Sequence, residues 1–338
     1  MRVAVDGVGG DYAPKEIVKG CIEASKARKD IEILLIGPRD LLERELQAQG
    51  ASPNSQIQIY HAPEIITNED KPVHAVRNKK DSSIVMGLNL LNEGEVDAFI
   101  SAGNTGALLA GSLFNVGRIC GIDRPAIASP YLTKKGMSIL VDAGANAECK
   151  PRNLLEFGVM GSIYVEKVFD RSNPSIGLVN IGSEVGKGNQ LIKESYELFS
   201  NSNLNFYGNL EAREIPKGHV DVIVCDGFVG NVILKLTEGV ASTLMSMLKE
   251  KLQNGIINKL AGAMLISSFK EVKKSFDYAE YGGAPLLGIN KTVIKIHGNS
   301  DARAVKNAIL QAKVFIEKQV NQIISEEIKK IGVEQNEK

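Results

Sequence analysis

The sequence predicts an α/β protein built on a doubly wound, mostly parallel sheet. Short β-branched runs alternate with amphipathic stretches almost from end to end, most of the runs are near-continuously apolar, and most of them end in glycine-rich loops. Near-continuous apolar strands are what a parallel sheet needs when helices cover both of its faces. Strands that alternate regularly with helical patterns are the mark of the doubly wound class.

In chain order the expected strands are Arg2–Asp6, Ile31–Ile36, Gln56–His61, Asp97–Ser101, Ser138–Asp142, Ser175–Ile181, Val220–Asp226 and Thr292–His297. Between them lie helical patterns such as Pro14–Lys29, Leu41–Gln49, Thr105–Val116, Pro151–Phe169 and Gln190–Phe199. Pro14 and Pro151 stand where the first turn of a helix favours proline. One excursion breaks the rhythm: from Asn231 to about Tyr278 the chain reads as two helices with Gly255 between them. With no linker, repeat or composition break, the expectation is a single α/β domain over 1–338 carrying a helical hairpin at about 231–278. The polar tail at 333–338 is expected to fray.

Composition narrows the function. Forty basic residues balance forty acidic ones in a chain of 338, which speaks against nucleic acid as a partner, since phosphate-backbone binders usually carry a basic surplus. The N-terminus enters a strand at its second residue, with no charged and apolar leader, so no signal peptide is expected. Apolar runs fall short of the roughly 20 residues of a spanning helix. Cys21, Cys120, Cys149 and Cys225 are scattered without zinc spacing and read as reduced thiols of a cytoplasmic protein. His61, His74, His219 and His297 show no paired spacing, so neither a metal nor a cofactor is expected.

The chemistry is concentrated in six loops at strand ends: Asp6-Gly7-Val8-Gly9-Gly10-Asp11, Ser101-Ala102-Gly103-Asn104-Thr105-Gly106, Asp142-Ala143-Gly144-Ala145-Asn146, Gly182-Ser183-Glu184-Val185-Gly186-Lys187-Gly188, Asp226-Gly227-Phe228-Val229-Gly230-Asn231 and His297-Gly298-Asn299-Ser300-Asp301. In open parallel sheets ligands bind beyond the carboxyl ends of the strands. Glycine lets backbone N–H groups approach an anion there, and helix starts add positive potential. Any one such loop is an ordinary turn; six with Asn, Ser, Thr or Lys favour a phosphate-bearing substrate. Gly9, Gly10, Asp11, Gly103, Asn104, Thr105, Asn146, Gly186, Gly188, Gly230 and His297 are the expected binding positions.

Two common readings fail. A dinucleotide fingerprint needs glycine where Tyr12 stands, and the segment Gly182 to Gly188 is one residue short of a Walker A loop, with Gly188 replacing its hydroxyl. Lys187 still suits a phosphate as a point charge. No nucleophile elbow is present, Cys225 ends an apolar strand as a core residue does, and Cys149 has no signature beside it.

Together these segments resemble one family, the phosphate acyltransferases (PlsX) of bacterial phospholipid synthesis. The most specific are Ser101-Ala102-Gly103-Asn104-Thr105-Gly106-Ala107-Leu108, Asp142-Ala143-Gly144-Ala145-Asn146, Asn180-Ile181-Gly182, Gly186-Lys187-Gly188-Asn189, Cys225-Asp226-Gly227-Phe228-Val229-Gly230-Asn231-Val232 and Gly282-Gly283-Ala284-Pro285-Leu286-Leu287-Gly288. The first loop departs from the family's usual Asp-Ala-Met-Gly-Gly-Asp-His at Gly7, Val8 and Tyr12, and Glu211-Ala212-Arg213-Glu214 replaces a usual Glu-Gly-Arg-Asp. The resemblance implies a three-layer fold similar to phosphotransacetylases and isocitrate-type dehydrogenases. It implies reversible transfer of a fatty acyl group from acyl carrier protein to inorganic phosphate, with the acyl-phosphate passing to a membrane glycerol-3-phosphate acyltransferase. By position in the motifs, Lys187 and Asn231 are the expected catalytic residues. Asp226 and Asp6 are possible weak bases, with capping of the following loop as the plainer role.

Two rivals remain at this level: a metal-dependent dehydrogenase of related fold, for which no aspartate cluster is visible, and a non-catalytic acyl or phosphate sensor. Basic clusters at Arg77/Lys79/Lys80, Lys134/Lys135 and Lys270/Lys273/Lys274 are candidates for docking an acidic carrier. In the hairpin's second helix Ile257, Leu260, Ala261, Met264, Leu265, Val272 and Phe276 form a broad apolar stripe flanked by lysines. That pattern suits a peripheral helix on the inner face of the membrane, with Leu260, Met264 and Leu265 inserting. It suits equally a stripe packed against the sheet or against the second subunit of a homodimer.

Overall fold

The computed structural model describes residues 1–253, 258 and 278–336. The first strands and helices are β1 (Arg2–Asp6), α1 (Lys15–Ala27), β2 (Glu32–Gly37), α2 (Arg39–Ala48), β3 (Ile57–His61), α3 (Pro72–Asn78), α4 (Ser83–Glu93), β4 (Ala98–Ser101) and α5 (Thr105–Gly111). A π-helical turn, Ser112–Val116, extends α5 to the end expected from sequence. Next come β5 (Ala126–Ile127), β6 (Ser129–Thr133), β7 (Gly136–Val141), α6 (Pro151–Phe169), β8 (Ile176–Asn180), α7 (Gln190–Ser200), β9 (Phe206–Glu211) and β10 (Val222–Val224). The chain ends through α8 (Gly227–Gln253), β11 (Ala284–Leu287), β12 (Thr292–Lys295), α9 (Ala302–Glu317) and α10 (Val320–Asn336). Pro151 is the first residue of α6, whereas Pro14 stands just before α1.

The strands divide between two sheets. A seven-stranded sheet runs β3-β2-β1-β4-β12-β11-β5 and a five-stranded one runs β6-β7-β10-β8-β9. Pairing is parallel except where β11 meets β12 and β5, and where β6 meets β7. The carboxyl ends of β1, β4 and β12 therefore share one edge, and those of β7, β10, β8 and β9 share another.

Alternate residues of each strand go to different cores, which is why the strands read as unbroken apolar runs. Val3 and Val5 pack under α1, α2 and α9, while Ala4 between them faces a core shared by both sheets. Leu140 and Ile223 enter that shared core from the second sheet, and Val141, Val222 and Val224 turn to the outer core beneath α6 and α10. Each fully buried aliphatic side chain of this kind contributes roughly 1.5–3 kcal/mol, so the register is strongly fixed.

Helix starts are set by the same polar loops that mark the strand ends. Asn104 caps α5 through Ala107 N–H, Asn189 caps α7 through Ile192 N–H, and Asp301 caps α9 through Ala304 N–H, each at 3.0 Å. Asp226 accepts from Val229 N–H at 2.8 Å at the start of α8. Of the expected hairpin, α8 is the first arm. The expected membrane positions Leu260, Met264 and Leu265, with Lys270, Lys273 and Lys274, lie outside the described residues.

Candidate active site

On the second sheet, three loops gather at neighbouring strand ends, and Asp142 is the knot that ties two of them. Its carboxylate, fully buried, accepts from Ile127, Gly144, Ala145 and Asn146 N–H and from the Asn146 amide, at 2.7–3.1 Å. Burial raises this carboxyl above the ordinary carboxylate range, against the opposing pull of the backbone donors. With five donors aimed at two oxygens, a proton on either one would face an N–H, so the geometry holds the anion. The Asn146 amide also donates to Pro125 O at 2.7 Å, and Asn146 O accepts Gly227 N–H at 2.7 Å.

The start of α8 seats on this loop. A Cβ at Gly230 would lie 1.9 Å from Asp142 O, so only glycine lets the helix come this close. The contact sets exposed Asn231 over Gly144, where an added Cβ would meet Asn231 Cβ at 3.6 Å. In the next loop Asn180 donates to Lys187 O at 3.0 Å and Asn209 donates to Glu184 O at 3.0 Å. Lys187 is exposed, its stem lying beside Gly182, and its ammonium has no ion-pair partner among the described residues. The N–H groups of Gly186 and Gly188 make no hydrogen bond within the described protein.

On the first sheet, Ser101 donates to Asp6 at 2.6 Å and accepts Gly103 N–H at 3.0 Å. Burial raises the Asp6 carboxyl against that bond from Ser101. The Gly9 loop rests directly on this pair: a Cβ at Gly9 would fall 2.3 Å from the Asp6 carboxylate and 2.6 Å from Gly103 N. Gly10 has a φ of +101°, and Asp11 N–H donates to Gly298 O at 2.7 Å. Gly9 and Gly10 N–H stay without a hydrogen bond within the described protein.

Helix α8 links the two groups of loops. From Asn231, about 10 Å of helix leads to Glu238, which pairs with His297 at 3.3 Å and with Lys235 at 2.8 Å. The Asp142 bond to Ile127 of β5 makes a second link between the sheets.

The structure thus sorts the expected residues. Lys187, Asn231, Gly9, Gly10, Gly186 and Gly188 present exposed groups or free N–H donors. Thr105 is exposed on the first turn of α5, and Asp11 is exposed beside Gly298. Asn104 is held by capping and by its bond to Thr67 O at 3.0 Å, and Asn146 by Asp142. Gly103 N–H goes to Ser101, Asp226 caps α8, and Asp6 anchors Ser101. Asp142, Ser101, Asn180 and Asn209 stand in segments noted from sequence without being given a role, and Lys295 and Glu238 were not singled out at all. A buried carboxylate ending the apolar strand before Ala143 was the one visible signal among them. Burial pushes the Cys149 thiol up to about 12 and the Cys225 thiol well above its ordinary value, so neither is a thiolate nucleophile. Among the described residues no group of three or more His, Cys, Asp or Glu forms a metal site.

Comparison with known proteins identifies the family. A family model described as "Fatty acid synthesis protein" matches residues 1–323. A phosphate acyltransferase of Alkaliphilus oremlandii is 55% identical over 332 residues, covering 98% of both chains. That of Thermoanaerobacter pseudethanolicus is 52% identical over 334 residues, covering 99% of both. A phosphotransacetylase from Streptococcus pyogenes shares the fold, with a TM-score of 0.64 at 18% identity over 94% of each chain. An α/β scaffold whose strand-end loops hold a lysine, an asparagine and free glycine N–H groups, matched at this identity along its whole length, makes the chain an acyltransferase of the phosphate acyltransferase family.

Proposed function

We propose that this enzyme moves a fatty acyl group reversibly from acyl carrier protein to inorganic phosphate, supplying acyl-phosphate for phospholipid synthesis. The observation that carries this reading is the seating of Asn231 over Gly144 by the Gly230–Asp142 contact, one strand away from the unpaired ammonium of Lys187. Monohydrogen phosphate attacks the thioester carbonyl, the C–S bond breaks, and the proton carried by the phosphate ends on the carrier thiol. The nucleophile arrives ionised, so holding and aiming it matters more than deprotonating it. Lys187 with Gly186 and Gly188 N–H binds phosphate or the leaving thiolate, and the Asn231 amide meets the charge developing on the carbonyl oxygen. No covalent enzyme intermediate is required, consistent with the raised thiols of Cys149 and Cys225.

The enzyme works in this reading as a cytoplasmic homodimer that touches the inner face of the membrane through the hairpin and hands its product to a membrane glycerol-3-phosphate acyltransferase. The test is phosphate-dependent release of carrier thiol from acyl carrier protein. Lys187→Ala and Asn231→Ala are expected to stay folded and each to lose on the order of 10²–10³ in rate. Near-normal turnover by both folded variants would remove these roles, and absence of turnover in the wild type would leave the sensor reading in its place.

A further inference from the structure

We propose that Lys295 is a positioning residue of the phosphate site, its ammonium fixing the peptide between Ala102 and Gly103 on which the free N–H groups of Gly9 and Gly10 rest. The proposal depends on the reading that the loops after β1, β4 and β12 meet the anionic substrate. Lys295 ends β12 opposite Ser101 of β4. Its Nζ donates to Ala102 O at 3.1 Å and to Ile296 O. The same peptide is held at its other end, where Gly103 N–H donates to Ser101 Oγ at 3.0 Å and Ser101 in turn donates to Asp6. Both poles of one peptide unit are therefore fixed by side chains from two different strands.

The Gly9–Gly10 segment lies directly on that unit. A Cβ at Gly9 would come within 2.6 Å of Gly103 N, and one at Gly10 within 2.9 Å of the Ala102 Cβ. If the peptide turned, the loop above it would move, and the free N–H groups of Gly9 and Gly10 would move with it. Lys295 is half-buried, and even partial burial of a cation costs free energy that an apolar residue would not; a tether needed for function accounts for lysine here. The charged groups facing it are Asp6 on β1, Asp11 after that strand, and Lys235 on α8, which is itself paired with Glu238. Burial pushes the Lys295 ammonium down to about 8, with Asp6 and Asp11 opposing and Lys235 assisting. The amine that forms above that pH keeps only two N–H donors and loses its attraction to both aspartates.

The experiment measures the KM for inorganic phosphate, the KM for acyl carrier substrate and kcat, for wild type, Lys295→Gln, Lys295→Arg and Lys187→Ala. Circular dichroism and thermal melting confirm the fold. Lys295→Gln is expected to raise the phosphate KM on the order of 10–100-fold, the loss of a charge-assisted hydrogen bond, with the carrier KM little changed. In the wild type the phosphate KM is expected to climb as pH rises past about 8, and Lys295→Arg, which keeps its charge, is expected to abolish that climb. A folded Lys295→Gln enzyme with a wild-type phosphate KM would overturn the proposal. So would an alkaline climb that persists in Lys295→Arg, and this second arm stands even if the Gln variant does not fold. If Lys187→Ala is inactive while Lys295→Gln is normal, only the Lys295 role fails; if Lys187→Ala is itself normal, the site reading fails first.

Discussion

Asp142 takes five donors at the point where β7 ends, so this one residue sets the positions of β5 and of the glycine loop through its carboxylate and of Gly230 through its backbone carbonyl. Asp142→Asn would turn an amide N–H₂ toward N–H groups that already fill both oxygens. Each stranded buried donor costs about 1–3 kcal/mol, so the variant is expected to lose about 3 kcal/mol or more of unfolding free energy. Denaturant titration measures this directly, and a loss under about 1 kcal/mol would mean that water or a shifted backbone satisfies the loop. The same arrangement explains why Asn231 is effective where it stands: its helix is located by a close approach that no residue but glycine permits.

At the scale of an element, α8 is the part of the fold that does most for function. Its first turn belongs to the site and its second and third turns reach His297, while the rest of its length shows apolar side chains to solvent. Leu236 is 64% exposed and Leu244 54%, with Val232, Val240 and Met247 on the same side at three- and four-residue spacing. A solvent-facing stripe of this length is expected where a second surface covers it, in keeping with the proposed homodimer. Leu244→Glu is expected to shift the protein toward monomer in sedimentation velocity. Leu260→Glu and Met264→Glu are expected to reduce co-sedimentation with anionic vesicles while leaving the dimer intact. Wild-type protein that never sediments with vesicles would leave the hairpin to dimerisation alone.

For the whole molecule, α8 runs from the end of β10 in one sheet to His297 beyond β12 of the other, and the charge on the surrounding surface bears on carrier docking. Of the basic clusters expected to meet an acidic carrier, Lys79 is already paired with Asp70 at 2.7 Å and Arg77 lies over the Phe114 ring at 5.4 Å. Lys80, Lys134 and Lys135 are exposed. Binding of the carrier is expected to weaken several-fold between low and physiological salt, as for charge-steered association. Replacing Lys80, Lys134 and Lys135 together by Ala is expected to blunt that salt dependence. Carrier affinity measured calorimetrically across ionic strengths decides it, and a flat salt response would remove these lysines from the docking surface.

Sequence by itself determined the eight parallel-type strands, because most are near-continuous apolar runs long enough to register; β3, with Gln58, Tyr60 and His61 exposed, alternates instead. It missed β5, which has only two residues, β6 and β11, which carry Pro130 and Pro285, and β9, whose Gly208 and Asn209 break the apolar run. Those four lie beside sheet edges or in antiparallel pairs, where proline and polar residues are tolerated because neighbouring contacts, and not local propensity, make the strand. The glycine loops were legible as a group, since any one is an ordinary turn but six with Asn, Ser, Thr or Lys at strand ends are more than turns require. Which polar residues in them remain free was settled only by tertiary structure. Asn104, Asn146 and Asp226 are spent on caps and loop bonds, whereas Lys187 and Asn231 are not. The roles of Lys295 and Asp142 became visible for the same reason: a hydrogen bond joins groups far apart in the chain, and no local pattern records which partner will be within bonding distance of which.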